Sequence, residues 1–168
     1  MDAKQFKETF LPLSGKLYRL ALRYLRSPEE AEDMVQEVFL KLLAMKEKLE
    51  TYRNKEALAM TMVRNLSLDR LRTKHTVSEG EVTLPEPGVP DDPPDVQLDR
   101  REKAARVMRI IDNLKEPART VIHLRDVEGY DYGEIAGVTE MTVNNVRVVL
   151  SRARKKVRET LLKETDHG

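Results

Sequence analysis

Residues 132–156, YGEIAGVTEMTVNNVRVVLSRARKK, constrain the fold of this chain more than any other stretch. They predict a helix, a tight turn and a second helix that ends in a run of cations. In the second helix Val146, Leu150, Ala153 and Val157 recur at three- and four-residue steps, so they form one face that must be buried. The other face then carries Asn144, Asn145, Arg147, Val148, Ser151 and Arg152. These side chains suit base edges in a DNA major groove: Asn bridges adenine, Arg bridges guanine, Ser serves either, and an exposed valine meets the thymine methyl. Thr142 stands where an N-cap belongs, and the helix end behind it offers free amides and partial positive charge to a phosphate. Arg154, Lys155, Lys156 and Arg158 extend the cationic surface for phosphate contacts that fix register without reading sequence. The stretch therefore predicts a DNA-binding helix-turn-helix.

Basic amphipathic helices are also ordinary solvated surface, so the preceding helix matters. Ile135 and Ala136 supply the compact pair that a close helix crossing requires, and Val146 is spaced to close the core behind the turn. Glu140, in the turn, dissents: a position with positive φ favours glycine.

The remaining composition limits what else the chain can be. With 168 residues, five per cent of them aromatic and no Trp, the cores must be built from Leu, Val, Ile, Met and Ala, as in small helical bundles. No Cys is present, which removes disulfides and Cys-based zinc sites and fits a reducing compartment. The N-terminus MDAKQFKETF mixes charges where a secretory signal is apolar, and no run approaches the eighteen or so apolar residues of a membrane span. A cytoplasmic protein that is not an integral membrane protein is expected.

A net charge of +1 is modest for a nucleic-acid binder, yet the charges are segregated. Residues 141–168 hold seven Lys/Arg against three acids, and residues 53–74 hold six against two. Residues 27–40 hold five acids and residues 76–99 seven, without a cation in either. Two basic segments alternating with two acidic ones suit a protein that binds DNA at two places and something else between them.

In chain order, Phe6, Phe10, Leu13, Leu17, Leu20 or Ala21, and Tyr24 step helically over residues 4–25, with a kink at Leu11-Pro12. Ser27 caps the next helix, with Pro28 at its first position and Glu30 at capping-box spacing. That helix buries Ala31, Met34, Val35, Val38, Phe39 and Leu42. Its outer face holds Glu29, Glu32, Asp33, Gln36 and Glu37, the last three too far along for the helix dipole to explain. Residues 47–54 read as a loop with Leu49 and Tyr52 exposed. A helix over 56–74 turns Leu58, Met62, Leu66 and Leu71 inward and leaves Arg64, Asn65, Arg70, Arg72 and Lys74 outside. An aromatic at the end of a loop beside a basic helix is an arrangement that stacks on a single strand. Residues 76–98, with five Pro, two Gly and acids between, read as a stiff, disordered acidic linker. From residue 99 a helix turns Ala104, Val107, Ile110, Ile111 and Leu114 inward. After Glu116-Pro117 another buries Val121, Ile122, Leu124 and Val127 and stops at Gly129. The expected fold is all-α: two small helical domains, residues 1–75 and 99–168, joined by the acidic Pro-rich linker 76–98.

Three segments in order carry a family resemblance: AEDMVQEVFLKLL at 31–43, MVRNLSLDRLR at 62–72, and EPARTVIHLRDVEGYDYGEIAGVTEMTVNNVRVVLSRARKKVRE in the C-terminal part. They are similar to regions 2.2, 2.3–2.4 and 4 of the sigma-70 family of RNA polymerase sigma factors, in its two-domain extracytoplasmic-function (ECF) group. The resemblance implies that Asp33, Gln36 and Glu37 dock on the β′ clamp of core RNA polymerase. The loop of Lys48, Leu49, Thr51, Tyr52 and Arg53 is implied to capture a flipped base of the minus-10 element, and Arg64, Asn65, Arg70 and Arg72 to support melting. Region 4 is implied to meet the β flap and to read the minus-35 element through Thr142, Asn144, Asn145, Arg147, Val148, Ser151, Arg152 and Lys155, with Arg119 near the phosphates. Promoter DNA and an anti-sigma factor are the further partners implied, and the linker is implied to thread channels of the polymerase. The chain departs from the family at Glu140, where Gly is usual, and lacks the tryptophans with which larger members wedge the duplex.

An autonomous helix-turn-helix regulator is the alternative. It leaves the Asp33, Gln36 and Glu37 surface and the linker without a role. An enzyme is poorly supported: His75, His123 and His167 lie in unrelated segments, and neither a Gly-rich phosphate loop nor a nucleophile paired with a base occurs. No cofactor, metal or small-molecule substrate is expected.

Overall fold

The computed structural model describes the backbone of residues 1–75 and 94–166 and the side-chain surroundings of residues 1–73 and 99–165. Its regular elements are all helical among the described residues, and they fall into two compact units, Met1–Pro85 and Glu86–Gly168.

In the first unit α1 spans Ala3–Phe10, a 3-10 turn covers Leu11–Leu13 at the expected Pro12 kink, and α2 spans Ser14–Leu25. The α1 start is fixed by Asp2, whose carboxylate accepts from Gln5 N at 2.8 Å while the Gln5 side chain accepts from Asp2 N at 3.1 Å. Arg26, at φ 56°, ends α2 and turns the chain into Ser27. Ser27 Oγ accepts from Glu30 N at 3.3 Å, and α3 runs over Pro28–Ala44. A short 3-10 turn at Leu49–Thr51 leads to α4, Lys55–His75. Helix α2 packs on both α3 and α4. Phe10, Leu17, Leu20, Ala21, Met34, Val38, Leu42, Met60 and Val63 fill the space between them.

Two inward faces of this unit differ from expectation. In α4 the buried residues are Ala59, Met60, Val63 and Ser67, whereas Leu58, Met62, Leu66 and Leu71 are half-buried. The helix is turned by about one residue because small Ala59 and Ser67 permit a closer approach than a leucine row does. In α3 Phe39 is half-buried rather than buried.

In the second unit α5 spans Pro94–Asp112, α6 Ala118–Ile122, α7 Tyr132–Thr139 and α8 Val143–Asp166. The chain is already helical at Pro94, inside the stretch expected to be linker. Proline is well suited to a first helical turn, where its missing N–H has no intrahelical role. The remaining linker expectation, residues 76–93, lies outside the described residues. Ala104 is exposed and Val107 and Val127 are half-buried, so α5 contributes Ile110 and Ile111 to the core. Helix α6 continues as one π-helical turn, His123–Val127, and Gly129 stops it with a φ of 77°. Helices α5, α6 and α7 all pack on α8. No described helix is long and apolar enough to cross a membrane.

Candidate nucleic-acid interface

The turn between α7 and α8 is built by local hydrogen bonds. Asp131 caps α7: its carboxylate accepts from Glu134 N at 2.7 Å, and Glu134 accepts in return from Asp131 N at 3.3 Å. The Glu134 amide holds the Asp131 carboxyl below its ordinary range, because the bond favours the charged form. Glu140 takes the left-handed backbone, φ 59° and ψ 33°, and Met141 N donates to Ala136 O at 3.1 Å, closing α7. Thr142 Oγ1 then accepts from Asn145 N at 3.1 Å, so Thr142 is the N-cap of α8.

Helix α8 divides as its periodicity demands. Val146, Leu150, Ala153 and Val157 are buried, and the helices that pack on α8 carry the buried Val121, Ile122, Ile135 and Val138. Asn144, Asn145, Arg147, Val148, Ser151, Arg152 and Lys155 are all exposed, together with Val143 ahead of them. Two of the arginines on this side are engaged. Arg154 is bound bidentately by Asp126 of the π-helical turn, Nη2 to Oδ1 at 2.6 Å and Nε to Oδ2 at 3.0 Å. That carboxylate raises the guanidinium pKa further and occupies two of its donors, so Arg154 must exchange an exposed ion pair to take the phosphate role expected of it. Arg147 lies over the ring of Tyr132, 5.3 Å from its centroid. Arg119 is not displayed to solvent: its side chain is 13% exposed, with Nε donating to Glu116 Oε1 at 2.7 Å and Nη1 to Asp112 O at 3.5 Å.

In the first unit α3 presents Asp33 and Gln36 to solvent. Glu37, one position on, is held by α4: Arg70 Nη2 donates to its Oε2 at 2.8 Å. Two residues expected to face different partners, polymerase and DNA, thus hold each other. Arg64 donates to the exposed Asn65 Oδ1 at 2.9 Å, and Arg72 pairs with Asp69 within the same turn. The loop before α4 corrects a second expectation. Leu49 is fully buried and cannot touch DNA, because it plugs the core beneath the loop while Tyr52 remains 40% exposed. Thr51 Oγ1 donates to Lys48 O at 2.6 Å and Tyr52 N to Leu49 O at 3.1 Å, which leaves Lys48, Tyr52 and Arg53 displayed on a tied loop. Among the described residues no cluster of three metal-ligating side chains occurs.

Sequence reasoning passed over Arg125 and Tyr132. Arg125 lies over the Tyr132 ring at 4.7 Å and donates to Tyr130 O at 2.9 Å, beside the exposed face of α8. An aromatic directly after the α7 cap was the available signal.

The model of "Sigma-70 region 2" matches residues 10–76 and that of "Sigma-70, region 4" residues 104–157. The RNA polymerase sigma factor SigV of Bacillus subtilis is 30% identical over 153 residues, covering 88% of this chain and 85% of its own. The chain belongs to the sigma-70 family. This sigma factor is also 28% identical over 172 residues to the RNA polymerase sigma-H factor of Pseudomonas aeruginosa, with 95% of this chain and 88% of that one covered. Other curated relatives bear the name of the ECF group, and the chain is a member of it. The fold is that of the sigma factor RpoE in its complex with the anti-sigma factor NepR from Bartonella quintana. The TM-score is 0.75 at 23% identity, over 95% of this chain and 98% of that one.

Proposed function

We propose that this sigma factor joins core RNA polymerase and directs promoter-specific initiation, α8 entering the major groove of the minus-35 element while the first unit takes the minus-10 element. The observation that carries the reading is the split of α8 into a buried Val146, Leu150, Ala153 and Val157 face and an exposed Asn144 to Arg152 face, on a helix capped by Thr142. Asp33 and Gln36, with Leu40 and Leu43 exposed along the same side of α3, supply a mixed polar and apolar face for the β′ clamp. Tyr52, Lys48 and Arg53 form the stacking and cationic surface for an unpaired minus-10 base. Its work needs no catalytic group of its own and takes place where the polymerase is, in the cytoplasm. The solved complex of RpoE with the anti-sigma factor NepR supports an anti-sigma partner for this chain as well.

The test is run-off transcription with core polymerase on a library of promoters randomised at both elements. Initiation confined to a subset sharing bases at the two elements is expected. Tight, sequence-specific shifts of duplex DNA by the chain without polymerase would instead identify an autonomous regulator.

A further inference from the structure

We infer that Tyr132 is a positioning residue for Arg147 and thereby sharpens which base the reading helix selects; the inference rests on α8 reading the upstream element. An arginine on an exposed helix face is spread over many rotamers, and each must be given up before two of its donors meet a guanine edge. Arg147 has a platform instead. Its guanidinium carbon lies 5.3 Å from the Tyr132 centroid, within cation–π reach. The platform is itself held. Tyr132 opens α7 directly behind the Asp131 and Glu134 capping box, and its ring also carries Arg125, at 4.7 Å, whose Nη1 is tied to Tyr130 O.

The kind of partner matters as much as its presence. Seven residues further along α8, Arg154 is held by a carboxylate that occupies its donors in bidentate fashion. Among the described residues Arg147 has no such carboxylate and rests on a π face. A ring attracts the cation without offering the N–H groups the lone pairs of a carboxylate, so the donors that a guanine O6 and N7 require are not taken up as those of Arg154 are. Tyr132 therefore orients the arginine without competing for its donors, whereas an acid in the same place would do both.

The experiment uses the full chain with core polymerase in run-off transcription on promoters randomised at the upstream element. Arg147→Ala identifies the position it reads as the one whose preference flattens. Tyr132→Leu is expected to lower the preference at that same position about two- to five-fold, the range an exposed cation–π contact carries. Tyr132→Phe is expected to retain it, and Tyr132→Leu added to Arg147→Ala to cause no further change in preference. A series of progressively fluorinated phenylalanines at position 132 keeps the ring shape while draining its π face, so preference is expected to fall stepwise with fluorination. A flat response across that series overturns the inference, even where the leucine variant is lost to misfolding by circular dichroism. If Tyr132→Leu weakens all promoters evenly, Tyr132 merely supports the fold and the inference fails while the α8 reading stands. If Arg147→Ala leaves every upstream preference unchanged, the base-reading role falls and the inference with it.

Discussion

A left-handed backbone costs an ordinary residue about 1–2 kcal/mol, and Glu140 accepts that conformation in the turn that sets α8 against α7. Its side chain is exposed, and nothing in the structure explains the choice of glutamate. Glu140→Gly is therefore expected to stabilise the second unit by about 1 kcal/mol, read as a higher urea midpoint, with promoter preference unchanged. The neighbouring cap gives a pH dependence. Asp131 titrates below the ordinary carboxylate value of about 3.9 in the folded chain. Its charged form thus stabilises the fold fully above that pH, and the contribution is lost as pH falls toward the lower folded value. Asp131→Asn keeps an acceptor for the Glu134 amide but not its charge, so thermal melts should show a slightly lower midpoint at pH 7 and converge with the wild type as pH falls below about 4. The positive φ was legible in the sequence, since it follows from where the turn must fall; the Asp131 cap was not read there, although an Asp three residues before a Glu carries it. Arg147 on Tyr132 was not visible, since a contact between the ends of two helices depends on their crossing and leaves no spacing within either.

At the level of elements, periodicity told the truth where one face is continuous and misled where small residues intervene. Helix α8 repeats bulky apolar residues at regular steps, and every residue expected to be buried there is buried. Helix α4 instead alternates polar and apolar residues, MTMVRNLSLDRLR, so its leucines drew the face one residue away from Ala59 and Ser67. The loop before it has no period at all, which is why Leu49 and Tyr52 looked alike. Their difference is testable. Leu49→Ala should destabilise the first unit by about 2–5 kcal/mol in chemical denaturation, since it empties a fully buried site. Tyr52→Ala should stay within about 0.5 kcal/mol of the wild type, as surface substitutions do, yet weaken promoter opening in permanganate footprinting. The Glu37–Arg70 pair joins α3 to α4 with side chains 39% and 28% exposed. A double-mutant cycle of Glu37→Gln and Arg70→Gln should return about 0.2–1 kcal/mol of coupling, since solvent screens a pair this open. Coupling near zero would show that the two residues are free for separate partners without first letting go of each other.

For the whole molecule, the informative quantity is the placement of charge, because a net +1 gives the free chain little general attraction to a polyanion. On the proposed reading the exposed cations of α8 therefore act while the chain is held by polymerase, and they divide by what each is expected to touch. Arg152 lies on the exposed face proposed to read bases and Lys155 further along, 70% exposed, with a 4.0 Å contact to Glu159. In holoenzyme binding to promoter DNA measured across a salt series, Lys155→Ala should reduce the slope of log K against log salt by about 0.9, the effect of one phosphate contact, and weaken all promoters alike. Arg152→Ala should cost about 1–3 kcal/mol on the preferred promoter and much less on variants at the base it reads. A uniform loss for both would assign the whole face to the phosphates and leave sequence selection to Arg147 and its neighbours at the start of the helix. A base-dependent loss for Arg152 together with a base-independent one for Lys155 places the boundary between reading and holding in the turn that separates them.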